Sequence, residues 1–240
     1  MKFLLCALNA KYIHSNPAVY SLRAYGGEQL CSHVEIAEYT INQQRGEILA
    51  DIYRRQPDAI GFSCYIWNWA MIRELIVEVK KVLPEADIWL GGPEVTYDAQ
   101  QVLVQYPQLK GVMIGEGEET FQELIMYYVN RERELGTTEL VVGCRELQQI
   151  AGLCLSDGYT PARPLTDMSS LPFLYEDLEE FHNRIIYYES SRGCPFRCSY
   201  CLSSIDKKVR LRDISVVKKE LQFFLDKKVK QVKFVDRTFN

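Results

Sequence analysis

The chain has 240 residues, 47% hydrophobic and 25% charged, a balance that supports one large or two modest folded domains and excludes disordered and collagen-like chains. No window approaches the ~18 uninterrupted apolar residues of a membrane span, and the run Phe3 to Leu8 is too short for a secretory signal, so a cytoplasmic protein without a membrane partner is expected. The net charge of -4 hides an asymmetry: residues 190–240 carry 13 Lys+Arg against 5 Asp+Glu, whereas residues 1–189 carry 15 against 27. A basic segment could attract phosphates or RNA, but the pairs Lys207-Lys208, Lys218-Lys219 and Lys227-Lys228 read as solvated helix faces, so nucleic acid is not the expected partner.

Strand-like and helix-like runs alternate from the start. Lys2 to Leu8 is nearly all apolar, as a strand buried on both faces should be, and Pro17 to Cys31 has helical spacing. Strands then follow at Val34 to Ile41, Ala59 to Cys64, Ile88 to Leu90 and Gly111 to Ile114, with helices at Glu47 to Arg55, Trp69 to Leu83, Tyr97 to Tyr106 and Glu118 to Arg131. Five βα units predict an α/β, Rossmann-type doubly wound parallel sheet of flavodoxin-like strand order over residues 1–135. Its ligand crevice is expected beyond the carboxyl ends of the strands, at Asn9 to Asn16, Ser63 to Asn68, Gly91 to Thr96 and Gly115 to Glu119.

The pattern weakens over 136–184, where Asp157-Gly158 reads as a hairpin turn and Pro161, Pro164 and Pro172 break any further βα unit; this stretch is expected to connect two domains. A new strand at Ile185 to Ser190 opens residues 185–240, followed by a loop, a helix at Ser215 to Leu225 and a strand at Gln231 to Val235.

Of eight cysteines, Cys6, Cys31, Cys64, Cys144 and Cys154 stand singly and read as small buried hydrophobes. Cys194, Cys198 and Cys201 form C-x3-C-x2-C. Three thiolates so spaced can ligate three irons of one cubane and leave the fourth open to another ligand. Structural zinc wants four ligands, and no fourth Cys or His lies within ten residues of the cluster.

With Tyr200 in the place before Cys201, this run resembles the radical SAM signature C-x3-C-x-aromatic-C, which follows the first strand of a (β/α) barrel. The resemblance implies that Cys194, Cys198 and Cys201 hold a 4Fe-4S cluster that chelates S-adenosylmethionine and cleaves it by one-electron reduction, with an electron donor such as a flavodoxin or ferredoxin as partner. Tyr200 would pack near the adenine. Asp236, at the end of the second barrel strand, would bind the SAM amino group, or else cap the strand end. The barrel match stops with the chain, so the remaining strands are expected from further sequence or another chain, and the substrate contacts with them.

The order of domains resembles the cobalamin-binding radical SAM class, in which a flavodoxin-like domain precedes the barrel. Ser63, Gly91, Gly92, Gly115, Glu116 and Gly117 then fall in the loops expected to contact cobalamin. The common motif D-x-H-x-x-G, whose His ligates cobalt, is not reproduced: His14 is either a lower cobalt ligand at another spacing or a loop imidazole bonded locally. The resemblance implies methyl transfer to carbon or a related radical reaction. Two alternatives stay open. Methylthiolation of tRNA would need three more cluster ligands, for which Cys6, Cys31 and Cys64 are the candidates, and a corrinoid-binding module would work without turnover.

Overall fold

The computed structural model describes residues 1–11, 14–136 and 146–238; Cys144 lies outside them. The chain divides into two units, Met1–Tyr12 with Ala18–Leu165, and Ile13–Pro17 with Thr166–Asn240.

In the first unit, β1 (Phe3–Asn9) is buried at every position because it lies inside the sheet with helices on both faces. Alternate residues serve the two layers. Leu4, Cys6 and Leu8 join the main core with Ile48, Ile52, Ile72 and Leu75, whereas the Phe3 ring meets Phe121 edge-on at 5.0 Å. The chain then runs through α1 (Pro17–Tyr25), α2 (Gly27–Cys31), β2 (Val34–Thr40), α3 (Arg45–Arg55), β3 (Ala59–Ser63), α4 (Trp69–Val82) and β4 (Asp87–Gly91). It continues with α5 (Pro93–Thr96), α6 (Ala99–Gln105), β5 (Gly111–Met113), α7 (Glu118–Gly136), β6 (Leu153–Leu155) and β7 (Gly158–Tyr159). The helix expected over 17–31 is two helices, parted at Gly26-Gly27, where Gly27 has φ +68°.

The sheet order is β2-β1-β3-β4-β5-β6-β7. The first five strands pair in parallel and have the flavodoxin-like order, while β6 pairs antiparallel with β5 and with β7. The turn at Asp157-Gly158 is therefore a hairpin, as its residues indicate, but one that extends the sheet along β5. The stretch 136–184, expected as a connection, is divided: its part up to Leu165 belongs to the first unit and its part from Thr166 to the second.

The second unit contains β8 (Ile186–Tyr188), β9 (Ser191–Arg192), β10 (Arg210–Leu211), α8 (Ile214–Asp226) and β11 (Val232–Phe234). β8 and β11 are parallel neighbours joined through α8, a single β-α-β unit. Asp213 caps α8 by accepting from the Ser215 amide. Aromatic rings fill the interior, with Phe224 against Tyr175 and Tyr188 at 5.5 and 5.9 Å. Arg212 and Glu220, both buried, form a two-pronged pair at 2.6 and 3.1 Å, and Glu220 also accepts from the Tyr188 hydroxyl. A carboxylate with three donors can be carried inside; one without them could not.

Candidate functional site

Because β1 to β5 are parallel, their carboxyl ends share one edge of the sheet, and the strand order changes direction between β1 and β3, the place where such sheets bind ligands. A fully buried side chain, Asn68, sits at this point. Its amide nitrogen donates to Leu8 O at 3.0 Å and Ser63 O at 2.9 Å, and its oxygen accepts from the Tyr65 amide at 2.8 Å. These bonds tie the ends of β1 and β3 together and fix the following loop. That loop presents Ile66, 81% exposed, and Trp67, 47% exposed, with Trp67 stacked on Tyr65 at 4.4 Å and 8°. Exposed apolar side chains held on a fixed loop are available for contact with a ligand.

The neighbouring loops differ in what their glycines do. Gly92 has φ +109° and ψ 170°, open in practice only to glycine. A Cβ there would lie 2.5 Å from Cys64 O. The close approach at Gly92 is to the protein's own backbone, which also pairs the Cys64 amide with Gly91 O at 2.7 Å. At Gly115, φ is +76° and a Cβ would meet nothing within 4 Å. Gly91 and Gly117 back onto Met113 and Leu22; Ser63 and Glu116 are half-buried at the same edge.

Although His14 follows β1 in sequence, it belongs to the second unit, forming a parallel bridge with Ile185. Its ring stacks on Tyr187 at 5.1 Å, and Nδ1 shares a 2.5 Å hydrogen bond with the Tyr187 hydroxyl. This hydrogen bond engages one of the two ring nitrogens, and its partner lies 173 positions along the chain.

The cysteine loop leaves β9 at Gly193, whose φ of +91° and approach to Lys208 O, 2.3 Å from where a Cβ would stand, again demand glycine. The Cys194 amide donates to Asp206 O at 3.0 Å. Cys194 is half-buried, and Cys198 and Cys201 are exposed; the Cys201 amide donates to Cys198 O at 3.2 Å. Among the described residues no three Cys, His, Asp or Glu side chains converge as a metal site, so the loop carries its thiols in sequence without gathering them. The donor set still suits an iron–sulfur cluster, being three soft thiols on one accessible loop. The Thr238 hydroxyl, 3.5 Å from Cys194 Sγ, together with the Phe196 amide and the Arg237 charge, draws the Cys194 thiol below its ordinary range.

Tyr200 is 91% exposed beside these cysteines. Asp236 faces the start of the loop: Oδ1 accepts from the Ser190 and Ser191 amides at 2.8 and 2.9 Å, and Oδ2 from the Ser190 hydroxyl. It therefore clamps the end of β11 to the end of β8.

The sheet and its switch-point edge have a counterpart among known families: residues 4–125 match the B12 binding domain. The chain belongs to the B12-binding domain family. It is 23% identical over 201 residues to the 2-(S-pantetheinyl)-carbapenam-3-carboxylate methyltransferase of Streptantibioticus cattleyicolor, covering 76% of this chain and 28% of that protein. It is 24% identical over 156 residues to the cobalamin-dependent radical SAM methyltransferase TokK of Streptomyces tokunonensis, covering 61% of this chain and 22% of that one. In fold it is similar to the cobalamin-dependent S-adenosylmethionine radical enzyme OxsB with aqua-cobalamin and S-adenosylmethionine bound, at TM-score 0.73 and 18% identity over 98% of this chain and 34% of that chain. The chain spans less than half the length of the curated relatives it matches.

Within this B12-binding domain the single cysteines do not gather. Cys6 and Cys64 are fully buried, and burial pushes both thiols far above their ordinary range. Cys31, half-buried at the end of α2, donates to Arg23 O at 3.1 Å. Two positioning residues had no sequence signal: Asn68, one polar residue in a loop, and Thr238, whose tie to Cys194 spans 44 residues. No helix of the described residues is long and apolar enough to cross a membrane.

Proposed function

We propose that this chain supplies the cobalamin-binding and cluster-binding parts of a radical SAM enzyme that transfers a methyl group to a substrate carbon or carries out a related radical reaction. The observation that carries the reading is the presence in one chain of a B12-family sheet and, after the first strand of a β-α-β unit, a loop with the thiols of Cys194, Cys198 and Cys201. The bound cofactors supply what side chains lack, namely one-electron cleavage of S-adenosylmethionine and a transferable methyl group.

The protein's own part is to hold and shield. Cys194, Cys198 and Cys201 would ligate a 4Fe-4S cluster, and Tyr200 would flank the adenine. Asp236, which already accepts three hydrogen bonds from Ser190 and Ser191, would keep one lone pair, on Oδ2, for the SAM amino group. On the sheet edge, Ser63, Gly91, Gly115, Glu116 and Gly117 would border cobalamin, the Tyr65–Trp67 stack and Ile66 would exclude water from it, and Gly92 would shape the loop from below. An acidic one-electron donor of the flavodoxin or ferredoxin class would reduce the cluster. Methylthiolation is disfavoured because Cys6 and Cys64 are sealed in the core.

The test is anaerobic reconstitution of the full chain with iron, sulfide and hydroxocobalamin. Absorbance near roughly 400 nm, about four irons per chain and an EPR signal of the reduced protein that changes on adding S-adenosylmethionine are expected, together with retained cobalamin. Stoichiometric zinc without a cluster would overturn the reading. Cobalamin retained by a chain unable to hold a cluster would favour the corrinoid-binding module.

A further inference from the structure

Three restraints converge on Cys194 and none of the three involves the other two cysteines. Gly193 is wedged against Lys208 O, the Cys194 amide is tied to Asp206 O, and the Sγ atom accepts from Thr238 Oγ1 at 3.5 Å. Thr238 gets there because β11 is locked beside β8: the Val235 amide donates to Tyr188 O at 2.9 Å, and Asp236 takes both amides of Ser190-Ser191. From this clamp Thr238 is two residues on, and its hydroxyl meets the first cysteine of the loop. Cys198 and Cys201 lie exposed on the outer turn.

A hydrogen bond to a ligating sulfur withdraws charge from it, and this favours the more negative, reduced form of an iron–sulfur centre. From this geometry we infer that Thr238 is a redox-tuning residue, whose hydroxyl, aimed at Cys194 Sγ by the Asp236 clamp, raises the reduction potential of the cluster. The inference rests on the proposed function and deepens it. The step concerned is the gain of one electron by the cluster from a low-potential donor, with no bond made or broken. Thr238 acts through Cys194 and is a positioning residue. It makes the iron at Cys194 electronically distinct from those at Cys198 and Cys201.

The experiment is a potentiometric titration of the anaerobically reconstituted full chain with dithionite, read by EPR, for wild type, Thr238→Val and Thr238→Ser. Valine keeps the shape and removes the hydroxyl; serine keeps the hydroxyl. At equal iron and sulfide content, the reduced-to-oxidised ratio at a fixed potential is expected to fall about threefold to tenfold in Thr238→Val and to stay near wild type in Thr238→Ser. The resonance Raman bands of the iron–thiolate bonds should move in the valine variant alone. Equal potentials and equal Raman spectra in fully loaded proteins would overturn the tuning role while leaving the proposed function standing. If Thr238→Val failed to load, Thr238→Ala would take its place; loss of loading in both but not in Thr238→Ser would assign the hydroxyl to cluster assembly and overturn tuning. A wild-type chain without any cluster would remove the proposed function and this inference together.

Discussion

The carboxyl edge of the first unit's sheet and the cysteine loop of the second are built on opposite plans. At the sheet edge the shaping groups are inside: Asn68 is fully buried, Gly92 presses on Cys64, and the exposed Ile66 and Trp67 ride on that framework. In the cysteine loop the chemistry-bearing atoms are outside, with Cys198 and Cys201 exposed, and only the Cys194 end is pinned. A large planar ligand needs a surface already formed, so its site is specified by packing beneath it. A thiol-held cluster brings its own bonds and completes the local structure as it binds. A motif of neighbouring residues can therefore point to the second kind of site, whereas the first kind is approached only through its place in the fold.

The sharpest break between the two plans is Cys198→Ala. It should abolish the cluster, about four irons in the wild type, measured by iron content and absorbance, and leave cobalamin retention unchanged. Next in size, Gly92→Ala places a Cβ 2.5 Å from Cys64 O at a φ of +109°. A loss of at least about 2 kcal/mol in urea unfolding is expected, with weaker cobalamin retention and an unaffected cluster. Asn68→Ala leaves Leu8 O, Ser63 O and the Tyr65 amide without their present partner, at a cost of about 1–3 kcal/mol, and should also lower cobalamin affinity by freeing the Trp67 loop.

The smallest effect is a control away from that edge. Partial burial raises the Asp51 carboxyl, but hydrogen bonds from Arg55 and Tyr39 outweigh it and hold it below the usual carboxylate range. Its stabilisation is present at neutral pH and is lost as pH falls through the lowered folded value. Asp51→Asn should cost up to about 1 kcal/mol near pH 7, and the gap between variant and wild type should close below roughly pH 4. Both cofactors should bind as before.

Much of the fold was legible because its strands are short apolar runs ended by Gly, Pro or polar residues, and the five parallel strands follow that signal. The hairpin turn was readable at Asp157-Gly158, but its docking was not, since three-residue β6 carries nothing that names β5 as its neighbour. The cysteine motif could be recognised as a resemblance within eight residues, and the structure carries those thiols on one accessible loop. At the sheet edge, Gly92 could be placed in a strand-end loop, but what packs against it is Cys64, 28 positions earlier, and one sequence holds no record of that pairing. Asn68 was invisible for the same reason. For His14 the sequence showed only that it follows β1; its partners Ile185 and Tyr187, far along the chain, left no signal.

That last contact has a consequence for biosynthesis. His14 and Tyr187 are 173 positions apart, and at about 5–20 residues added per second the first emerges from the ribosome on the order of ten seconds or more before the second. During that interval the sheet of the first unit can assemble strand by strand, whereas the segment Ile13–Pro17, which belongs to the second unit, has no companion to fold with. The B12-binding domain must therefore mature around an unclosed stitch. The second unit is drawn shut by an early-made segment pairing with residues made much later, a closure that makes its formation the slower of the two events.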